Sequence, residues 1–415
     1  MLIFWSRENR SKTGKGTKVA SSKLRESLQS NCIGRGMATI ASLSIILVLL
    51  IPVVYSRVLS SPPTERSAKA EPVTNRKWVL RSRPSGDFRA SDLQLKTEAV
   101  SADDLEKDEV LVEVETLSIE AFYRTTLDAS AYHGSTDIGS VVPALGIGKV
   151  VASKSKKFKT GSRVVGGLGS QTISKISDAT LQPAAALPGT KKTDALGRLG
   201  ISGLTAWIGM IAVLGPPKKG QLVVVSAAAG AVGSLAAQIA KARGAKVIGI
   251  AGGASKCEYL KEKLGLYGAI DYKSKSLTVG EQLDMLAPDG VDFFFDNVGG
   301  STLDAVLSRL KLHSRVVICG GISYYAKGDV NNGKVVGPSQ YLKLAEKSST
   351  MRGFNIMHYL PGKLLPFLAQ MLMMIWRKRL VMDEHVEEGI EKFASAMELL
   401  QSGGHTGKLL VKVSE

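Results

Sequence analysis

A chain of 415 residues with 44% hydrophobic content can bury a sizeable core and has length for two or three domains. Its three cysteines, Cys32, Cys257 and Cys319, lie far apart and give neither a disulfide framework nor a Cys-x-x-Cys metal spacing, and no two of its five histidines stand at i, i+4. The net charge of +17 owes +6 to a short basic arm at the start; the remainder is spread without the basic-aromatic pattern of a nucleic-acid binder, which argues against a nucleic-acid function.

Residues 1–36 form that arm. No residue is charged between Arg35 and Arg57, and residues 37–55 (MATIASLSIILVLLIPVVY) match the length a helix needs to cross a bilayer. A single transmembrane helix over 37–56 is therefore expected. The positive-inside rule makes it a signal anchor with the large domain on the far side. Two alternatives stay open: Val54-Tyr55-Ser56 has the small-residue spacing of a cleavable leader, and the arm has the composition of an organelle transit peptide. Residues 57–74, polar and containing Pro62-Pro63, are expected to be a flexible linker.

From residue 75 the texture changes. Residues 111–115 (LVEVE) alternate like a half-buried strand, and glycines recur between 146 and 169 among short apolar runs. These features predict a small, irregular, mainly β domain over 75–199. Residues 200–350 alternate strand and helix. Strands are expected at 221–226 (QLVVVS), 246–251, 269–272, 291–296 and 315–319, with helices at 233–243 and 255–264 among those between them. Such repetition is the sequence form of a doubly wound parallel sheet. Residues 351–415 are expected to return and complete the first domain. Within them, residues 365–376 (LPFLAQMLMMIW) are unusually apolar and are read as core or dimer packing in preference to a membrane contact.

The strand at 222–226 runs into Ala227-Ala-Ala-Gly-Ala-Val-Gly233 and then a helix. This is a dinucleotide-binding turn with alanine in place of its first glycine. Gly230 lets the backbone approach a pyrophosphate, Gly233 lets the helix pack on the strand, and the amides of Ala231 and Val232 lie at the helix start where anions are favoured. After the second strand stands Gly252-Gly-Ala-Ser-Lys256, without the carboxylate that usually binds the ribose hydroxyls of NAD. Lys256, with Tyr272 as a second donor, favours the extra phosphate of NADPH.

Six segments in this order resemble the prostaglandin reductase and alkenal double-bond reductase branch of the zinc-free medium-chain dehydrogenase/reductases. They are Gly203-Leu-Thr-Ala206, residues 227–233, Asp271-Tyr-Lys273, Phe295-Asp-Asn-Val-Gly-Gly300, Cys319-Gly-Gly-Ile-Ser323 and Gly407-Lys-Leu-Leu-Val-Lys412. The likeness runs from Asn75 to Val413. It implies a Rossmann domain inserted in a GroES-like, mainly β catalytic domain, NADPH as cofactor, no metal, a homodimer, and reduction of the carbon–carbon double bond of small enals or enones. A quinone reductase of the same fold, or an NADP-binding protein with little turnover, are the alternatives.

By the same resemblance Thr205 binds the cofactor, and Asn297, Cys319, Gly320, Gly321, Ile322, Ser323 and Tyr325 approach its nicotinamide half, joined by Phe354, Asn355 and Ile356. Zinc-dependent relatives need cysteines and a Gly-His-Glu histidine, whereas residues 117–169 hold only His133. Without a Lewis acid, hydride addition at the β-carbon needs hydrogen-bond donors on the carbonyl oxygen, and Tyr325 is the donor candidate. The branch usually shows Asp-Pro-Tyr-Met-Arg at the substrate entrance. Here Glu120-Ala-Phe-Tyr-Arg124 places Phe122 at the tyrosine position with Tyr123 beside it, and both are substrate candidates. His405 stands where the branch has a cofactor-touching asparagine.

Overall fold

The protein was analysed as a computed structural model, which describes residues 71–414 except 132–133, 185, 326–327, 329–330 and 332. The expected membrane segment at 37–56 lies outside the described residues. Among the described residues no helix is long and apolar enough to cross a membrane.

The chain builds two halves around separate sheets. The first is mainly β: β1 (Val73–Leu80), β2 (Leu93–Val100), β3 (Glu109–Ser118), β4 (Gly146–Ser153), β5 (Arg163–Gly166), β6 (Ile173–Ser177) and β7 (Leu181–Pro183). The second supplies a six-stranded parallel sheet from β8 (Leu222–Val225), β9 (Lys246–Ala251), β10 (Gly268–Asp271), β11 (Val291–Asp296), β12 (Leu310–Ile318) and β13 (Thr350–Gly353), in the order β10-β9-β8-β11-β12-β13. Its helices are α1 (Ile201–Trp207), α2 (Ala231–Ala242), α3 (Ala254–Glu258), α4 (Val279–Leu286), α5 (Gly300–Leu307), α6 (Ile322–Tyr325), α7 (Leu342–Glu346) and α8 (Leu360–Trp376). The chain then returns to the first half with β14 (Glu384–Glu388), α9 (Phe393–Gln401) and β15 (Lys408–Lys412), giving the sheet order β14-β15-β3-β4-β5-β7 with β6 also on β3.

The continuous apolar runs follow from burial on both faces. In β8, Val223 and Val225 face one core with α1, α2 and α8, while Leu222 and Val224 face the opposite core with α4 and α5. Phe293 and Phe295 of β11 point to the first core and Phe294 to the second. The strand period of two thus sorts a uniformly apolar sequence into two layers, as a doubly wound sheet requires. A third core fills the β half, where Val110, Val112 and Val114 of β3 meet Phe393 and Met397 of α9.

Two expected boundaries move. Strand β1 begins at Val73, inside the stretch expected to be linker, and pairs along its length with β2. Strand β13 extends the parallel sheet, and α8 packs Phe367 and Met371 into the first core of that half. The return therefore begins at β14 rather than at residue 351. The short strand TMRG at the sheet edge has no apolar run to announce it.

Candidate active site

The turn after β8 forms as its sequence dictates. Ala227 adopts a left-handed backbone (φ 48°), the conformation for which the usual first glycine is selected. Gly233 could carry no side chain, because a Cβ there would lie 2.3 Å from the Ala227 carbonyl oxygen. The first intrahelical bond runs from the Ser234 N–H to the Gly230 carbonyl (2.9 Å), so the amides of Ala231, Val232 and Gly233 have no acceptor inside α2. No acidic residue sits in that first turn. The C-terminal segment closes over it, with the Gly407 N–H donating to the Ala229 carbonyl at 2.8 Å and Gly407 bridging to Gly230.

Next to this turn lies a cationic corner. The Lys256 ammonium donates to the Gly403 carbonyl (2.7 Å), and burial followed by the neighbouring Lys273 lowers its pKa. Asp271, at the end of β10, accepts from the Gly253 and Lys273 N–H groups (2.7 and 2.8 Å), both at its Oδ1. The half-exposed Tyr272 ring fills the space over Gly252, where a Cβ would meet it at 2.8 Å. His405 lies between Gly403 and Gly407; burial, then Lys256, depresses its pKa to about 4, and its buried Nδ1 has no hydrogen-bond partner among the described residues. An unsatisfied imidazole nitrogen, two mutually repelling lysines and a helix start without acids fit a phosphorylated dinucleotide. In sequence Lys273 is one residue of the Asp271-Tyr-Lys273 motif, and its charge beside Lys256 is not legible in one dimension.

At the ends of β11 and β12 two of the singled-out segments interlock. Buried Asp296 accepts from the Ser226 hydroxyl (2.7 Å) and from the Val298 and Gly299 N–H groups (both 3.0 Å), while burial raises its pKa. The Asn297 amide donates to the Ser226 carbonyl (2.7 Å). The turn from Cys319 to Tyr325 hangs on this frame: the Cys319 and Gly320 N–H groups reach the Asp296 carbonyl, Ile322 N–H the Asn297 carbonyl, and Ser323 Oγ the Val298 carbonyl (2.6 Å). The Cys319 thiol is held protonated by burial. The Tyr325 hydroxyl accepts from the Gly321 N–H at 3.2 Å. Ser226 and Asp296, which fix this frame, were not among the sequence candidates.

The other expected residues divide. Thr205 donates to the Ile201 carbonyl within α1 (2.7 Å), and Asn355 caps the turn at Met357 with its side-chain oxygen (3.0 Å). Phe354 and Ile356 pack against the core of the parallel-sheet half. Phe122 is half-buried. Tyr123 is a correction: it is 1% exposed, its hydroxyl accepts from the Leu145 N–H at 2.6 Å, and burial raises its pKa well above that of an ordinary phenol. It presents no surface to a substrate; in the short helical turn Ala121–Leu127 its ring lies inward of Phe122, edge-to-face with it at 4.8 Å.

Two buried ion pairs escaped sequence reading. Lys408 reaches Glu120 at 2.5 Å, and Glu120 also accepts from the Ser118 hydroxyl (2.6 Å). Arg124 meets Asp128 at 2.8 Å, and Asn331, in the segment following Tyr325, donates to the same Asp128 (2.6 Å). The second pair therefore moors the loop that carries Tyr325 to the segment that carries Phe122.

Fold and site together define a dinucleotide-dependent oxidoreductase, with a phosphate-receptive turn where a β half meets a doubly wound half. A family profile described as the N-terminal domain of oxidoreductase matches residues 76–184, and one described as zinc-binding dehydrogenase matches residues 231–370. Prostaglandin reductase 1 of Bos taurus is 36% identical over 81% of this chain and 98% of its own length. The NADP(+)-dependent 2-alkenal reductase of Nicotiana tabacum is 34% identical over 83% and 99%. The crystal structure of CurA in complex with NADPH from Vibrio vulnificus superposes with a TM-score of 0.75 at 32% identity, covering 82% and 99%. The chain belongs to the medium-chain dehydrogenase/reductase family, in its zinc-free alkenal and prostaglandin reductase branch. Despite the wording of the second profile, no three of His, Cys, Asp or Glu converge as a metal set among the described residues.

Proposed function

We propose that this protein reduces the carbon–carbon double bond of α,β-unsaturated aldehydes or ketones with NADPH. The observation that carries the reading is the mooring of the Cys319–Tyr325 turn onto Asp296 and Asn297, at the carboxyl ends of β11 and β12 where open α/β sheets bind their ligands. Relatives named for reduction of 2-alkenals, pulegone and curcumin support the same chemistry. When bound, the nicotinamide would supply a hydride for the substrate's β-carbon, and a proton from solvent at the α-carbon completes the reduction.

The chain's own residues do the rest. Lys256, Lys273 and Tyr272 hold the ribose phosphate, and the amides at the start of α2 hold the pyrophosphate. The Tyr325 hydroxyl donates to the carbonyl oxygen, where negative charge collects as the double bond is reduced. Accepting from Gly321 N–H polarises that hydroxyl and makes it a better donor. Phe122 gives the entrance an apolar wall. Residues 37–56 tether the enzyme to a membrane as a signal anchor, and two copies associate as a homodimer.

The test is NADPH consumption by the full chain with alkenals, enones and quinones as acceptors, the products identified by mass spectrometry. Saturated aldehydes and ketones are expected. Allylic alcohols, or consumption with quinones alone, would overturn the reading. Protease accessibility of the enzyme in sealed membranes checks the anchor, and sedimentation of the purified chain checks the dimer.

A further inference from the structure

Helix α8 has no polar face. Its inner side buries Phe367, Met371, Met374 and Ile375 against the parallel-sheet half. On the opposite side Leu365 is 74% exposed, Trp376 59% and Met373 48%, with Ala369 exposed between them. At the helical repeat, Leu365, Ala369, Leu372 and Trp376 fall on one narrow stripe. A helix that is apolar all round belongs in a core or in lipid, yet the outer stripe of α8 faces away from the protein.

Charge decides what covers it. No Asp or Glu occurs between Glu346 and Asp383. Lys363 near the start of α8 and Arg377, Lys378 and Arg379 just past its end are all exposed, and none takes an ion-pair partner among the described residues. The next acids in the chain, Asp383 and Glu384, are engaged by Lys263 and Lys191. A second copy packed across this stripe about a two-fold axis would run parallel or antiparallel. The first sets the two Arg-Lys-Arg clusters against each other, and the second sets each against the other copy's Lys363 and positive helix start. An apolar stripe with cations at both ends and no acid complements an anionic lipid surface instead.

We propose that the outer face of α8 lies on an anionic membrane surface, with the stripe from Leu365 to Trp376 at the acyl boundary and the cations at headgroup level. Trp376 suits that boundary: its indole N–H is satisfied by the Pro188 carbonyl (2.7 Å), so its exposed ring enters lipid without leaving a donor unpaired. The contact needs no crossing of the bilayer. It stands on α8 alone, apart from the tether proposed above.

The full chain is mixed with vesicles whose lipids carry bromine on the acyl chains, either zwitterionic or containing phosphatidylglycerol. The emission of Trp376 is isolated by subtracting the spectrum of Trp376→Phe. Most of the Trp376 emission should be lost in the phosphatidylglycerol vesicles and much less in the zwitterionic ones, and replacing Arg377, Lys378 and Arg379 together by Gln should restore it. Co-flotation of the chain with unchanged Trp376 emission would overturn the proposal while leaving the tether intact. No co-flotation with either vesicle would overturn both. An emission change that follows protein concentration in the absence of lipid would overturn it in favour of a second copy.

Discussion

The buried ammonium of Lys408 lies 2.5 Å from the Glu120 carboxylate, joining the first residue of β15 to the residue that opens the substrate segment. The pair sits where β15, which follows the Gly407 bridged to the cofactor turn, meets the end of β3 that leads to Phe122, so it is a fastening between the two sides of the site. Lys408→Met leaves a buried carboxylate unpaired and is expected to lower stability by about 3–5 kcal/mol. Lys408→Met combined with Glu120→Gln should cost clearly less. Urea unfolding midpoints of the two variants check this; equal losses would show that the pair contributes nothing as a pair.

Ala227 carries a left-handed backbone on a residue with a Cβ. Ala227→Gly is therefore expected to raise stability, by up to about 1 kcal/mol, because the strain relieved outweighs the cost of a freer unfolded chain. Gly233→Ala should act in the opposite direction, since its Cβ would collide with the Ala227 carbonyl and push α2 off the turn. Thermal unfolding of both variants, with and without NADPH, separates the two effects.

Lys256 and Lys273 repel each other in a corner where Asp271 already accepts from two backbone N–H groups. Lys256→Ala is expected to weaken NADPH about tenfold, the loss of roughly one charged hydrogen bond, and to leave NADH affinity nearly unchanged. Lys273→Ala should do the same to a smaller degree. Binding titrations with both nucleotides check it, and an equal loss for NADH would remove the two lysines from phosphate recognition.

His405 has a pKa of about 4 in the folded chain against 6.5 for a free imidazole. Above pH 6.5 the ring is neutral in both states and contributes no pH dependence. Between 6.5 and 4 the unfolded chain takes up the proton first, so stability falls as pH falls, by at most about 3 kcal/mol, and levels off below 4. His405→Asn should remove this slope from the urea midpoints measured between pH 4 and 7.

Tyr325→Phe should lower kcat about 100-fold, the cost of one donor to a developing oxyanion, with NADPH affinity little changed. A tyrosine that merely braces its own loop would instead change nucleotide affinity together with turnover. Full turnover in this variant would end the assignment.

The doubly wound half was legible because its strands are buried on both faces, which writes runs such as LVVV and FFF directly into the sequence. The turn at 227–233 was legible because backbone geometry restricts its residue types. The interior position of Tyr123 was not: two adjacent aromatics read alike in sequence, and only the fold says which of the touching rings is the inner one. Strand β13 hid because an edge strand needs no apolar face. Lys408 and Glu120 are 288 residues apart, and at that distance a lysine after a glycine reads as an ordinary solvated strand end.

The antiparallel pairing of β15 with residues 116–118 of β3 bears on how the protein is made. A ribosome delivers β3 long before β15, with the whole parallel-sheet half synthesised between them. The half that is translated first must wait, with the end of β3 unpaired on one edge, until β15 leaves the exit tunnel, while the half translated second can fold at once. Synthesis order and completion order are thus reversed, and a ribosome that has not yet released β15 would hold an assembled nucleotide fold beside an unfinished catalytic one.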